Sequence, residues 1–187
     1  ELKYMSDIDD SLYEELKSIS DEWLEDRNEL GFSLGFMNRK YLEHSPLAFI
    51  KKVDTDEIIA FASLMPKYDN GKSMSLDLMR FKKQVPNNTM TFLILGIILS
   101  LKDNGYKIFN LGMAPLSNVG ESSNSHFREK LAHLVFKYGN NVYGFKGLRN
   151  YKNKFRPIWI SRYLAYEDLT LLPSSIIEVT RLIHSKK

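Results

Sequence analysis

The chain has 187 residues, of which 43% are hydrophobic and 26% charged, enough for one globular domain with a sizeable core. It holds no cysteine, which excludes disulfides and thiolate metal sites. No apolar run approaches the roughly 20 residues of a membrane helix, the longest, 92–101, being interrupted by Gly96 and Ser100. The net charge of +3 is unevenly placed: residues 1–30 hold eleven acids against Lys3, Lys17 and Arg27, a balance of −8 that leaves +11 for the remainder. Such asymmetry predicts a basic working surface beside an acidic helix, with salt-sensitive steering of an anionic partner. No signal peptide is visible, and a start at Glu1 rather than Met points to a fragment or a processed piece.

In chain order, Asp9, Asp10 and Ser11 are N-cap candidates, and Leu12, Leu16, Ile19, Trp23 and Leu30 recur at helical spacing until Gly31. The spacing predicts an amphipathic helix of about five turns with Glu14, Glu15, Lys17, Glu22 and Glu25 on its solvated face. A short strand over 32–36 and a helical turn over 39–44 follow. Three strands, 47–53, 57–65 and 73–81, are separated by Asp54-Thr55-Asp56 and by Pro66 with the Asp69-Asn70-Gly71 turn. A polar loop, 82–88, leads to a helix over 89–104 closed by Gly105, a buried strand over 106–111, and the stiff loop Gly112-Met113-Ala114-Pro115-Leu116. A helix near 126–138, a short helix over 146–154 halted before Pro157, a last strand over 158–166 and a terminal helix from Pro173 to His184 complete the order. Strands joined first by hairpins and then by helical crossovers predict an α/β fold: a mixed, mainly antiparallel sheet with helices on both faces, of the acetyltransferase-like (GNAT-type) kind. The expected organisation is a joining amphipathic helix over 1–31 followed by one globular unit over 32–187.

Most familiar chemistries have no motif here. His44, His126, His133 and His184 show no metal-ligand spacing, and GxSxG, HExxH, GxxxxGK[ST] and GxGxxG are all absent. One acid stands out by its setting: Asp77 lies in Ser73-Met74-Ser75-Leu76-Asp77-Leu78-Met79-Arg80, flanked by apolar residues on a strand expected to be central. A carboxylate there needs a cationic partner or an amine ligand. A structural ion pair with Arg80 is opposed by strict alternation, since residues three apart on a regular strand face opposite sides. A one-residue bulge would bring both to one face.

The loop Val85-Pro86-Asn87-Asn88 precedes the helix whose N-terminus holds a pyrophosphate in acetyl-coenzyme A enzymes of this fold, but it lacks the glycines of their loop. In Phe109-Asn110-Leu111-Gly112-Met113, Asn110 could offer an amide to a carbonyl and Gly112 a close backbone approach, or the segment is simply a satisfied buried turn. Finally, no Asp or Glu occurs from Lys130 to Tyr166, where Lys146, Arg149, Lys152, Lys154 and Arg156 interleave with Tyr143, Phe145, Tyr151, Phe155, Trp159 and Tyr163. Mixed cations and aromatic rings suit nucleic acid or a lipid head group, although a charge run also serves as a plain solvated face.

Taken together, Asp77-Leu78-Met79-Arg80, Pro86-Asn87-Asn88-Thr89-Met90, Phe109 to Leu116 and Gly147-Leu148-Arg149-Asn150-Tyr151-Lys152-Asn153-Lys154-Phe155 resemble the soluble catalytic domain of the bacterial phosphatidylglycerol lysyltransferases, also called multiple peptide resistance factors or lysyl-phosphatidylglycerol synthases. Ser20-Asp21-Glu22-Trp23-Leu24 and Gly31-Phe32-Ser33-Leu34-Gly35 extend the resemblance from about residue 12 to Tyr166. It departs in detail: Thr91 stands where an acid is expected, Asn88 replaces a glycine, and Phe127 takes a place where Trp is common. The resemblance implies transfer of lysine, or in some members alanine, from aminoacyl-tRNA to a glycerol hydroxyl of phosphatidylglycerol, with no cofactor and aminoacyl-tRNA as co-substrate. It also implies an upstream acetyltransferase-like half and a membrane flippase domain in the same protein, at the cytoplasmic side of the cell membrane. The functional positions carry over to Asp77, Arg80 and Lys152 as catalytic residues. Asn110, Gly112, Met113, Lys146, Arg149, Tyr151, Lys154 and Arg156 are the substrate-binding candidates. Asp77 would hold a lysyl amino group, kept ionised by Arg80. Two rival readings stay open: an acetyl-coenzyme A-dependent N-acetyltransferase, and a non-catalytic RNA- or membrane-docking module.

Overall fold

The apolar run over 58–64, Ile-Ile-Ala-Phe-Ala-Ser-Leu, is buried on both faces and forms the centre of a sheet. The structure, a computed structural model, describes residues 2–4, 8–25, 35–67, 69–115, 145–163, 165, 171, 174, 175 and 178. In chain order the elements are β1 (Leu2–Tyr4), α1 (Asp10–Leu24), α2 (Arg39–Leu42), β2 (Pro46–Lys51), β3 (Ile58–Pro66), β4 (Ser73–Phe81), α3 (Thr89–Asp103), β5 (Ile108–Asn110) and α4 (Phe145–Asn153). The chain divides into two compact units, one of residues 1–110 with 166–187 and the other of residues 111–165.

In the first unit five strands run in the order β1-β2-β3-β4-β5. The first four pair antiparallel, and β5 joins β4 in parallel after the α3 crossover, Ser75 lying opposite Asn110. Leu16 and Ile19 of α1 pack on one face with Leu42, Leu47, Phe49, Ile58, Phe61 and Leu78. Leu93, Ile97 and Leu101 of α3 pack on the other with Ala48, Ala60, Ala62, Leu64 and Met74. Each fully buried Leu, Ile or Phe contributes about 1.5–3 kcal/mol, so the two clusters hold the helices to the sheet. This is the mixed, mainly antiparallel sheet with helices on both faces that the element order predicts.

Asp9 caps α1, its carboxylate accepting from the Leu12 amide at 2.7 Å. The helix stops at Leu24 with Glu25 at φ 53, short of the five turns expected; residues 26–34 lie outside the described residues. Its acidic face is less solvated than the spacing implies. Glu15 accepts from the Ile58 amide at 2.9 Å, Glu22 from the Lys83 amide at 2.6 Å, and Glu25 pairs with the Lys83 ammonium at 3.0 Å, so acids tie the helix to β3 and to the loop after β4.

The strand β1 has no counterpart in the sequence reading, being three residues long. Of the strand expected over 32–36, Gly35 and Phe36 belong to no strand and the rest is not described. The helix near 126–138, with His126, Phe127 and His133, also lies outside the described residues, as do Pro173 and His184; Ser174, Ser175 and Glu178 are helical.

In the second unit α4 matches the short helix expected over 146–154. The last strand expected over 158–166 is corrected: residues 156–163 join no ladder. Ile158, Ile160 and Tyr163 are exposed, because β-branched and aromatic composition makes a strand only where a neighbour supplies hydrogen bonds.

Candidate active site

Alternation fails on β4 at one point, and that point is Asp77. Ala62 lies opposite Met79 and Leu64 opposite Leu76, so two steps along β3 match three along β4. Ser63 therefore faces both Asp77 and Leu78, which defines a one-residue bulge. Leu76 and Met79, three apart, both pack against the α3 cluster, while Leu78 packs in the α1 cluster. The bulge also brings Asp77 and Arg80 to the α1 face.

The Asp77 carboxylate is held by hydroxyls. Tyr41 Oη donates to Oδ2 at 2.6 Å and Ser63 Oγ donates to the same oxygen at 3.1 Å. Ser63 Oγ in turn accepts from the Leu78 amide at 3.1 Å, satisfying the amide that the bulge displaces from the ladder. Burial first, and then the Asp77 carboxylate, push the Tyr41 phenol above its ordinary value, so it remains a donor. Gly35 closes the third side: a Cβ there would stand 2.2 Å from Asp77 Oδ2 and 2.6 Å from Cγ, so no side chain fits without displacing the carboxylate.

Arg80, 8% exposed, is turned to α1. Its guanidinium lies over the Trp23 ring at 4.2 Å, Nε donates to Ser20 Oγ at 3.3 Å, and Nη1 donates to the Met79 carbonyl at 3.0 Å. Among the described residues Asp77 forms no ion pair. The expected pairing with Arg80 is thus corrected: the carboxylate's partners are two neutral donors, Tyr41 and Ser63.

In the second unit Lys152 of α4 is 8% exposed, and the neighbouring Leu148, Tyr151 and Phe155 are half-buried. Its Nζ donates to the Met113 carbonyl at 2.7 Å, and burial lowers its pKa to about 8. Gly112, at φ 78, brings backbone close to this amine; a Cβ there would lie 3.5 Å from Nζ. Gly112 and Met113 therefore gather around Lys152, while the Met113 side chain is exposed. Arg149 lies over the Trp159 ring at 4.5 Å, Trp159 Nε1 donates to Asn153 Oδ1 at 2.9 Å, and Lys154 lies over Tyr151 at 5.5 Å. Tyr151 meets Phe155 edge-on at 5.7 Å. Lys154 and Arg156 are exposed, Arg156 with φ 48; Lys146 lies on α4, its side chain outside the described residues. Asn110 ends β5 in the first unit.

Sequence reasoning passed over Tyr41, Ser63 and Gly35 as site residues. Two signals were available: Ser63 is the one polar residue in the buried run over 58–64, and Gly35 closes the quoted Gly31–Gly35 motif. Tyr41 carried none, since its partner is 36 residues away. No group of three or more His, Cys, Asp or Glu among the described residues could hold a metal ion, and His44 Nδ1 lies 2.8 Å from the Lys40 carbonyl of its own turn.

An antiparallel meander that turns parallel only after a crossover helix, with a carboxylate on its bulged strand, defines an acetyltransferase-like α/β unit with a polar site on one sheet face. The chain belongs to the C-terminal family of the phosphatidylglycerol lysyltransferases: residues 1–166 match the family described as "Phosphatidylglycerol lysyltransferase, C-terminal". It is 44% identical over 178 residues to the phosphatidylglycerol lysyltransferase of Bacillus subtilis (strain 168), covering 95% of this chain and 21% of that protein. To the phosphatidylglycerol lysyltransferase of Staphylococcus aureus (strain N315) it is 42% identical over 172 residues, covering 92% of this chain and 20% of that one. Among solved structures, L-PGS from Bacillus licheniformis matches 100% of this chain with 55% of its own, at 39% identity and a TM-score of 0.81. The C-terminal domain of a lysylphosphatidylglycerol synthetase from Agrobacterium fabrum matches 99% with 54% of its own, at 34% identity and a TM-score of 0.80. The chain thus spans about a fifth of the curated relatives it matches. Among the described residues no helix is long and apolar enough to cross a membrane.

Proposed function

We propose that this chain is the later half of the catalytic domain of an aminoacyltransferase that moves lysine from lysyl-tRNA to a glycerol hydroxyl of phosphatidylglycerol. The observation that carries the reading is the family match over residues 1–166, together with relatives named for this activity. The product lipid carries added positive charge, which lowers the negative charge of the membrane and resists cationic antimicrobial peptides. The full protein adds an upstream acetyltransferase-like half and a membrane flippase domain, and this half works at the cytoplasmic face of the bacterial membrane. No cofactor takes part; aminoacyl-tRNA is the co-substrate.

The reaction exchanges one ester for another, so the barrier is chiefly positional, and correct placement of two large substrates supplies roughly 7–11 kcal/mol. Asp77 binds a lysyl ammonium through the carboxylate oxygen that the hydroxyls leave open. Lys152, a cation below about pH 8, neutralises the lipid phosphate or the oxyanion that develops at the acyl carbon. Arg80 holds α1 against the bulged strand and maintains the site's positive potential. Asn110 of the first unit, and Gly112 and Met113 of the second, are substrate-binding candidates. Lys146, Arg149, Tyr151, Lys154 and Arg156 receive the tRNA terminus or the anionic lipid, with Tyr151 available for stacking.

One feature supports this over acetyl-coenzyme A chemistry: the loop over 85–88 holds no glycine. The test is lysyl-lipid formation by the full-length protein with radiolabelled lysyl-tRNA and phosphatidylglycerol vesicles. Asp77→Ala is expected to abolish product; near-normal product overturns the assignment. A thermal-shift titration with coenzyme A is expected to show no stabilisation.

A further inference from the structure

We propose that Tyr41 and Ser63 are positioning residues that tether one oxygen of the Asp77 carboxylate and leave the other for the side-chain ammonium of a cationic aminoacyl group, thereby setting preference for that group over one with a neutral side chain. The proposal rests on the aminoacyl-transfer reading above and deepens it.

A carboxylate has about four lone-pair positions, and how they are filled decides what more it can bind. Here both protein donors converge on Oδ2, Tyr41 Oη at 2.6 Å and Ser63 Oγ at 3.1 Å. Among the described residues Oδ1 receives no hydrogen bond. Both donors are uncharged, so they orient the group without cancelling its charge. A guanidinium in their place would have satisfied the carboxylate and removed its attraction for a substrate cation. The one nearby guanidinium on the strand, Arg80, is engaged by Trp23 and Ser20 of α1.

The tether is itself anchored. Tyr41 stacks on Phe36 at 5.5 Å, and its amide donates to the N-cap Asn38 at 3.2 Å, so the phenol starts from a fixed helical turn. Ser63 is fully buried and spans the bulge, accepting from Leu78 while donating to Asp77; loss of its hydroxyl releases the carboxylate and the bulge together. A Cβ at Gly35 would stand 2.2 Å from Oδ2 and 2.6 Å from Oδ1, so the missing side chain there keeps both oxygens from being covered. Tyr41 of α2, Ser63 of β3 and the backbone at Gly35 thus converge on one carboxylate.

The test uses the full-length protein with phosphatidylglycerol vesicles and two donors, lysyl-tRNA and tRNA carrying Nε-acetyllysine, whose side chain is neutral. Tyr41→Phe keeps ring and shape, and Ser63→Ala provides a second variant at the other donor; melting temperatures confirm folding. Loss of a hydrogen bond to a charged group predicts a rise of about tenfold in KM for lysyl-tRNA with kcat within about twofold, and a matching fall in discrimination against the acetylated donor. Equal loss of kcat for both donors with KM unchanged means a merely structural role and overturns the proposal, even where Asp77→Ala is inactive and the transfer reading stands. Unchanged kinetics in both variants overturn it likewise. Retained transfer by Asp77→Ala overturns the transfer reading and this proposal with it.

Discussion

Burial holds the Lys152 amine at about 8, below the ordinary lysine value of 10.5, because desolvation disfavours the charged form. The folded chain therefore releases this proton before the unfolded chain does. Between about pH 8 and 10.5 the unfolded state binds more protons, so stability rises with pH through that window, and below pH 8 the cost of the buried charge is present in full. Lys152→Met is expected to be more stable than the parent at pH 7, with the difference shrinking toward pH 10.5, as measured by urea unfolding at stepped pH. The same substitution is expected to lose lysyl transfer. An inactive but stabilised variant is the signature of a cation kept for chemistry. Equal stability at every pH refutes the buried charge.

At the scale of elements, α3 is apolar on nearly every side yet only one side meets the sheet. Ile97 is 1% exposed against β2 and β3, whereas Phe92, Leu95 and Leu99 are 69%, 46% and 59% exposed. Ile97→Ala is expected to cost about 2–5 kcal/mol, and Leu99→Ala to stay within about 0.5 kcal/mol, in urea unfolding of this chain. Comparable losses at both positions would place the core elsewhere. Hydropathy does not separate these residues, because helical periodicity needs a polar face to reveal the buried one. The strand β4 shows the opposite case: turn residues on both sides set its span over 73–81 in the sequence and in the structure alike. The bulge within it was legible only as a condition, that Asp77 and Arg80 could share a face if one residue were extra.

At the scale of the whole molecule, the charge asymmetry resolves into two uses. Acids of α1 are spent on the fold, Glu15 and Glu22 on backbone amides and Glu25 on Lys83. The basic excess includes Arg149 over Trp159, Lys154 over Tyr151, and the exposed Arg156. If these cations meet the single-stranded tRNA terminus, each neutralised phosphate adds about 0.7 to the salt slope of binding. The triple substitution Arg149→Ala, Lys154→Ala and Arg156→Ala is expected to lower that slope by about 2, read from the affinity of the full-length protein for lysyl-tRNA between 50 and 200 mM salt. An unchanged slope would remove these residues from the tRNA surface and leave them to lipid or solvent.

Composition, turn residues and apolar spacing were enough for the α/β class, the β2–β3–β4 meander, α3, and the placing of α4 before Pro157, because each depends on contacts within a few residues. The motifs around Asp77 and Lys152 likewise pointed to the family. What sequence spacing left open were relations across long separations: the 36 residues between Tyr41 and Asp77, the 60 between Ser20 and Arg80, and the 39 between Met113 and Lys152. The segment over 158–163 failed as a strand for the same reason, since pairing is a property of a neighbour and not of the segment. Local propensity names a carboxylate; only the folded sheet, bulged at Ser63, decides which of its oxygens is held.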